Sequence, residues 1–197
     1  MTRPIPRRWS RFTHLLPYRR NNSKVGLEHA ANNSRAVDLD VWPTADNVLV
    51  NTHWRKPLLL DGFRDPAGRT KRNRNVDTMM WRRVRRLESR EGFRIVKVSR
   101  RLEQAAELGV IRIELDAKGG QWLTEPDAWH PIAELARELG LTVAVKCASR
   151  RPRYAGRVLR AAHLAGLPTI LLPRGTRVMP KKWQPYIDYV RGAVIWR

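Results

Sequence analysis

Short runs in which apolar and polar residues alternate are the main regular feature of this sequence. Alternation with a period of two predicts a strand with one apolar and one polar face. Such runs, or short continuous apolar runs, cover residues 36–41, 48–53, 111–118, 141–147, 168–173 and 192–196. A weaker run lies near residues 11–15. The pattern therefore predicts about seven strands.

Helical patterns separate the later strands. An apolar stripe that includes Leu102, Ala105 and Leu108 ends at Gly109, and two similar stripes end at Gly140 and Gly166. A glycine directly after an apolar stripe is typical of a helix C-terminus. Helices that alternate with strands indicate βαβ units and a parallel sheet, hence an α/β protein.

The segment over about residues 54–94 interrupts this rhythm. It is rich in Arg, Lys, Asn and Gly up to about Asn75, and residues 76–90 then have the pattern of a basic helix. We interpret the segment as a basic insertion in a single domain that covers residues 1–197.

Composition narrows the function classes. Lys and Arg number 39 against 18 Asp and Glu, a formal net charge of +21 that attracts polyanions and anionic surfaces. The single cysteine, Cys147, excludes an intrachain disulfide and a thiolate metal cluster. No stretch approaches the roughly 18 apolar residues of a membrane span, and no apolar signal-peptide core follows the basic N-terminus. We therefore expect a cytoplasmic protein without a transmembrane segment.

The polar faces of the predicted strands carry the candidate chemistry. They hold Asp38 and Asp40, then Asn51 and His53, then Glu114, Asp116 and Lys118, and finally Lys146. Each of these taken singly is more often an exposed edge, a polar face or a salt-bridge residue than a functional site. In a barrel of parallel strands, however, active sites form at the C-terminal strand ends. Carboxylates from two strands can hold a hard divalent cation, and cations beside them suit a phosphate.

In order and spacing, these motifs resemble the glycerophosphodiester phosphodiesterase family. Residues 37–41 resemble its Glu-Leu-Asp-Val strand, with Asp38 in place of Glu. Asp116-Ala117-Lys118 matches the spacing of its Glu-Ile-Lys strand. Three further stretches resemble family motifs. Residues 21–23 resemble the Glu-Asn-Thr motif, residues 43–53 resemble the turn and strand before the second histidine, and residues 96–108 resemble the Pro-Thr-Leu-Glu-Glu helix.

The resemblance implies a TIM-type (β/α) barrel that is short and incomplete, since such barrels typically have about 250 residues. It also implies a metal-dependent hydrolase that converts a glycerophosphodiester into an alcohol and a phosphomonoester such as glycerol 3-phosphate. By this resemblance His14 and His53 are the general base and acid. Mg²⁺ or Ca²⁺ is held by Asp38, Asp40 and Asp116, or by Glu114 in place of Asp116. Lys118 pairs with the phosphate, and Arg19 and Lys146 are further candidates for substrate binding.

Two positions depart from the family pattern. Leu15 follows His14 where the family has a phosphate-binding arginine, so Arg19 or Arg20 would have to replace it. Trp54 follows His53 where the family has an aspartate. These departures affect the predicted activity more than the predicted fold.

A different class of function is a catalytically weakened barrel that binds nucleic acid or an anionic surface. Basic runs at residues 69–74 and 81–86 and eight tryptophans suit such a ligand. Solvated helix faces are the favoured explanation of the basic runs, and no zinc finger or RNP motif is present. A steep loss of nucleic-acid affinity with salt, without metal binding, would favour this alternative.

Overall fold

The computed structural model describes residues 24–33, 35–148, 151–173, 178–191 and 194–196. Its α-helices are α1 (Lys24–Asn33), α2 (Pro57–Leu60), α3 (Trp81–Val84), α4 (Val98–Glu107), α5 (His130–Glu138) and α6 (Pro152–Leu164). Short 3₁₀ helices lie at Val76–Thr78, Gln121–Thr124, Pro126–Ala128 and Lys181–Tyr186. The strands are β1 (Ala36–Pro43), β2 (Leu49–Asn51), β3 (Val96–Lys97), β4 (Arg112–Ala117), β5 (Thr142–Cys147), β6 (Thr169–Leu171), β7 (Val178–Met179), β8 (Tyr189–Val190) and β9 (Ile195–Trp196).

One mostly parallel sheet organises the molecule. Its seven strands lie in the order β3-β2-β1-β4-β5-β6-β8. β1, β4, β5, β6 and β8 pair in parallel, whereas β2 is antiparallel to both of its neighbours. Within the described residues the outer strands β3 and β8 do not pair with each other, so the sheet does not close. A mostly parallel sheet that does not close agrees with the expected short, incomplete barrel.

The predicted alternation sets the two faces of this sheet. On β1, Val37, Leu39 and Val41 are at most 1% exposed and pack in the main core. Apolar side chains of β4 and β5 join them there, together with those of helices α4, α5 and α6. Burying a side chain such as Leu39 stabilises the fold by about 1.5–3 kcal/mol. The opposite face therefore receives the charged residues.

A small apolar cluster lies on the same face of the sheet as those charged residues. Ala36, Ala144 and Ile170 form a small buried cluster against Tyr189 on the polar face of the sheet. On the same face, Asp38 pairs with Glu114 across β1 and β4, and Lys146, two residues after Ala144, pairs with Asp116 across β5 and β4.

The basic segment between β2 and β3 has a core of its own. Its apolar residues pack around Val50 of β2, and the buried members are Leu58, Val76, Met79, Val84, Leu87 and Ile95. The helix predicted over residues 76–90 is wrong in length, because only Val76–Thr78 and α3 are helical there. Met79 is extended (φ −112°, ψ 137°), and its carbonyl accepts a hydrogen bond from the Ala45 N–H at 2.9 Å. This contact takes the chain out of the helical conformation.

The strand predicted at the C-terminal end is present but belongs to a different sheet. The apolar run over residues 192–196 contains β9, which pairs with β7 in a separate two-stranded sheet. β8, formed by Tyr189 and Val190, instead extends the main sheet beside β6. Among the described residues, no helix is long and apolar enough to cross a membrane.

Candidate active site

Seven charged side chains meet on the polar face of the sheet. They are the carboxylates of Asp38, Asp40, Glu114 and Asp116 and the cations of Lys118, Lys146 and Arg191. Strand register produces this grouping, because Asp38 pairs with Glu114 and Asp40 with Asp116 across β1 and β4. The expectation that carboxylates and lysines of neighbouring strands lie close together agrees with this arrangement.

Lys146 lies in the middle of the carboxylates. Its Nζ forms an ion pair with Asp38 and lies 3.5 Å from Glu114 Oε2 and 3.8 Å from Asp116 Oδ2. The whole residue is 4% exposed. A buried ammonium is stable only when it is paired, so these carboxylates hold Lys146 in place.

Two further cations complete the network. Lys118, directly after β4, places Nζ 2.9 Å from Asp40 Oδ1 and 2.5 Å from Asp116 Oδ2. Arg191, directly after β8, reaches Glu114 with Nη2 2.5 Å from Oε1 and Nη1 3.3 Å from Oε2. Each of the four carboxylates therefore has a cationic partner.

Among the described residues, the network contains four carboxylates and three cations. Burial raises the pKa of Asp38 from its ordinary 3.8 to about 6, although Lys146 opposes the shift. Burial alone would lower the pKa of Lys146, but Asp38, Asp116 and Glu114 outweigh it and raise that pKa. Asp38 Oδ1 is buried and makes no hydrogen bond among the described residues.

The carboxylates fit a hard divalent cation as donors. Mg²⁺ and Ca²⁺ take oxygen ligands, and the buried Asp38 Oδ1 atom, which has no hydrogen bond among the described residues, could serve as one. In the part of the chain that the structure describes, however, no three candidate ligands are grouped to hold one ion. Lys118 and Lys146 lie between the carboxylates. An ion would therefore have to displace a lysine.

A basic cleft opens above Lys118. We call it the strand-end cleft; its volume is about 1160 Å³. Among the described residues, its charged lining consists of Lys118, Arg55, Arg151, Arg153, Arg157 and one acid, Asp77. Arg55 binds Asp77 at 2.8 Å, whereas Arg153 and Arg157 lie exposed on the first turns of α6. The cleft is therefore positively charged and suits an anion.

Glycines after Lys118 shape one wall of the cleft. A Cβ on Gly119 would lie 2.6 Å from the Trp42 ring, and one on Gly120 would lie 2.3 Å from Pro43 Cγ. Gly120 also has a φ of +100°, a backbone conformation that residues with a side chain rarely adopt. The chain can pass this close to the end of β1 only without side chains at these two positions.

Of the two predicted histidines and the predicted arginine, the structure describes only His53. His53 lies two residues beyond the end of β2, with its ring 4.2 Å from that of Trp54, and is not among the residues lining the strand-end cleft. Its carbonyl accepts a hydrogen bond from Trp42 Nε1, and Trp42 does line the cleft. His14 and Arg19 lie outside the described residues.

Two other predicted polar residues have structural partners. Asn51 donates to the Asp40 carbonyl at 2.9 Å and accepts from Arg101 Nε at 3.1 Å. Burial lowers the pKa of Arg101 to about 10. Lys146 is part of the buried network and, within the described chain, does not line the strand-end cleft.

Sequence reasoning missed Arg191 and the arginines of α6. Arg191 was missed because the last strand was expected at residues 192–196, and a correct β8 would have placed it at a strand end. Arg153 and Arg157 are four residues apart on a predicted helix. That spacing puts them on one helix face, a signal that was available.

Comparisons with known proteins give a structural answer only. No protein-family model matches the chain, and no curated protein matches it by sequence. Among solved structures, it is similar to a glycerophosphodiester phosphodiesterase from Parabacteroides distasonis ATCC 8503, with a TM-score of 0.56 at 13% identity, over 86% of this chain and 84% of that one. A glycerophosphodiester phosphodiesterase from Agrobacterium tumefaciens str. C58 matches with a TM-score of 0.45 at 15% identity, over 86% and 88% of the two chains. The first similarity confirms the expected fold, an incomplete TIM-type barrel like that of a glycerophosphodiester phosphodiesterase.

Proposed function

We propose that this protein is a metal-dependent phosphodiester hydrolase that acts on a small glycerophosphodiester and releases an alcohol and a phosphomonoester such as glycerol 3-phosphate. The observation that carries the proposal is the position of Lys118. Its ammonium group joins Asp40 and Asp116 of the carboxylate network and also lines the basic strand-end cleft. A phosphate in this cleft would therefore lie beside the charged network. A cytoplasmic location is part of the same proposal.

The cleft can hold and orient an anionic substrate. Arg153 and Arg157 are exposed at its rim and form no ion pair with a carboxylate among the described residues, so their charge is available to a phosphate. Lys118 would contact the phosphate at the inner end of the cleft. Tyr154 also lines the cleft and is half-buried. Burial raises the pKa of its hydroxyl, so the hydroxyl stays protonated.

A divalent ion, Mg²⁺ or Ca²⁺, would be held by Asp38, Asp40 and Asp116, with Glu114 as the alternative to Asp116. When bound, such an ion polarises a phosphoryl oxygen and stabilises developing negative charge. The chain's own contribution is to keep these carboxylates ionised and close together. Lys146 contributes to this, because its positive charge offsets the repulsion between the carboxylates.

His53 is the proposed proton donor or acceptor. Near neutral pH a histidine can give a proton to the leaving oxygen of the substrate or take one from the attacking water. Its carbonyl contact with Trp42 links it to the wall of the strand-end cleft. His14 is the proposed partner in this role.

Ligand binding tests the proposed cleft separately from the chemistry. We expect glycerol 3-phosphate to raise the Tm of the protein, because a ligand that binds only the folded state stabilises it. Two exposed charge contacts are worth about 1–2 kcal/mol together, so Arg153→Gln/Arg157→Gln should weaken binding by roughly 5- to 30-fold. The matched control is Arg69→Gln/Arg72→Gln, which removes the same charge from an exposed loop outside the cleft. Equal weakening in both double variants would argue against the cleft.

A further inference from the structure

A second basic depression lies at the β3 edge of the sheet. It has a volume of about 480 Å³, and we call it the β3 groove. Its lining consists of Trp81, Arg85, Arg86, Arg94, Ile95, Val96, Lys97 and Arg100. None of these residues lines the strand-end cleft. The groove is therefore a separate surface, and its role does not depend on the proposed hydrolase activity.

Positive charge is concentrated around this groove. Between Trp81 and Arg101 the chain has nine basic and two acidic residues. Arg94 has a distant partner in Glu88 at 3.9 Å, and Arg100 pairs with Glu103 at 2.8 Å. In the described part of the chain, Arg85, Arg86 and Lys97 form no ion pair with a carboxylate. Three uncompensated cations thus line one groove.

The backbone beneath these cations is fixed by packing. Val84, Leu87 and Ile95 are at most 2% exposed and belong to the core of the segment between β2 and β3. The N–H of Trp81 donates a hydrogen bond to Asp46 Oδ1 at 2.7 Å, which anchors the start of α3. The arginines therefore project from an ordered surface. That arrangement differs from a solvated helix face, which was the simpler explanation of the basic run.

Trp81 adds an aromatic surface to the groove. Its ring packs partly on the same core, and the Lys97 ammonium lies 5.8 Å from the ring centroid. Cations that track a phosphate backbone, next to an aromatic ring on which a base can stack, are the combination used to bind single-stranded nucleic acid. We propose that the β3 groove binds a single nucleic-acid strand, with phosphates on Arg85, Arg86 and Lys97 and a base against Trp81.

Salt dependence of binding provides the first test. The probe is a fluorescein-labelled oligothymidylate of about 16 nucleotides. Its affinity is measured by fluorescence anisotropy at NaCl concentrations of roughly 50–300 mM. Each phosphate contact to a single strand adds about 0.7 to the slope of log affinity against log salt. Arg85→Gln/Arg86→Gln/Lys97→Gln should therefore reduce the slope by about 2. The control, Arg69→Gln/Lys71→Gln/Arg72→Gln, makes the same change in net charge outside the groove and should leave the slope unchanged.

The stacking contact provides the second test. Trp81→Leu keeps an apolar side chain on the core but removes the ring, and we expect it to weaken binding by roughly 5- to 150-fold with little change in the salt slope. Trp81→Phe retains a ring and should retain most of the affinity, which separates lost stacking from lost folding. Glycerophosphodiester hydrolysis, measured in parallel, should be the same in all groove variants as in the wild type.

Three results would overturn the proposal. Equal loss of slope in the two triple variants would show that only overall charge matters. Unchanged affinity in Trp81→Leu would remove the base contact. Binding of inorganic polyphosphate or of phosphatidylserine vesicles as tightly as the oligonucleotide would show a surface for anions in general rather than for a nucleic-acid strand.

Discussion

Replacing Lys146 by methionine tests how the charged network is held together. Methionine has a similar length, so the substitution removes the ammonium group with little change in packing volume. It leaves Asp38 and Glu114 with fewer counter-charges in a buried site. Removing one partner of a buried ion pair typically costs about 3–5 kcal/mol. We expect Lys146→Met to lower the free energy of unfolding by about 3 kcal/mol at pH 7.

The pH dependence of this loss follows from Asp38. Its pKa is 3.8 in its ordinary state and about 6 in the folded protein. Between these two values the folded state binds more protons than the unfolded state, so stability rises as the pH falls. From pH 7 to pH 5 the wild type gains at most about 1.4 kcal/mol from this group. Without Lys146 the pKa of Asp38 rises further, and the gain then increases towards its limit of about 2.7 kcal/mol, which is one proton bound over two pH units.

Urea denaturation in EDTA at pH 7 and pH 5 measures both quantities. The cost of Lys146→Met should shrink by about 1.3 kcal/mol between pH 7 and pH 5, or by less because Asp38 keeps 29% of its side chain exposed. The control is Lys24→Met, which breaks an exposed pair with Glu28 at 3.9 Å and should cost less than about 0.5 kcal/mol at either pH. A loss below about 1 kcal/mol at pH 7, or equal losses at both pH values, would refute the reasoning.

Three further predictions concern the proposed site. Asp40→Asn should abolish the rise in Tm that Mg²⁺ or Ca²⁺ produces, and an unchanged rise would remove Asp40 from the metal site. Lys118→Gln should strengthen binding of the same ions, measured by calorimetry, because the variant lacks the ammonium group that an ion would have to displace. Weaker binding would show that Lys118 does not compete with the ion. His53→Ala should lower kcat on glycerophosphocholine by roughly 10²–10⁴-fold and KM little. If His53 is the acid, bis-(p-nitrophenyl) phosphate should be spared, and equal losses on both substrates would indicate the base.

Alternation in the sequence predicted the charged face of the sheet well. On β1 and β4 every second residue is buried in the main core, so Asp38, Asp40, Glu114 and Asp116 could be assigned to the other face from the sequence alone. Their mutual proximity followed from the parallel pairing that the intervening helices imply. Local patterns are sufficient here because one face of each strand must be covered by helices.

The partners of those carboxylates were harder to predict. Arg191 binds Glu114 although the two residues are 77 positions apart, and its strand, β8, has only two residues. Such a short strand lacks a period that could be recognised. The segment between β2 and β3 failed for another reason, because its fold depends on burial around Val50 and on the Ala45–Met79 hydrogen bond. Contacts between distant parts of the chain, rather than local propensity, decide such a segment.

Phosphorus NMR of glycerophosphocholine incubated with the protein tests the proposed function most directly. With Mg²⁺ or Ca²⁺ present, the phosphodiester signal should convert to that of glycerol 3-phosphate, and EDTA or Asp40→Asn should stop the conversion. The Arg69→Gln/Arg72→Gln variant should convert substrate at the wild-type rate. Wild-type protein that leaves the phosphodiester signal unchanged with either ion would contradict the proposal that this barrel is a glycerophosphodiester hydrolase.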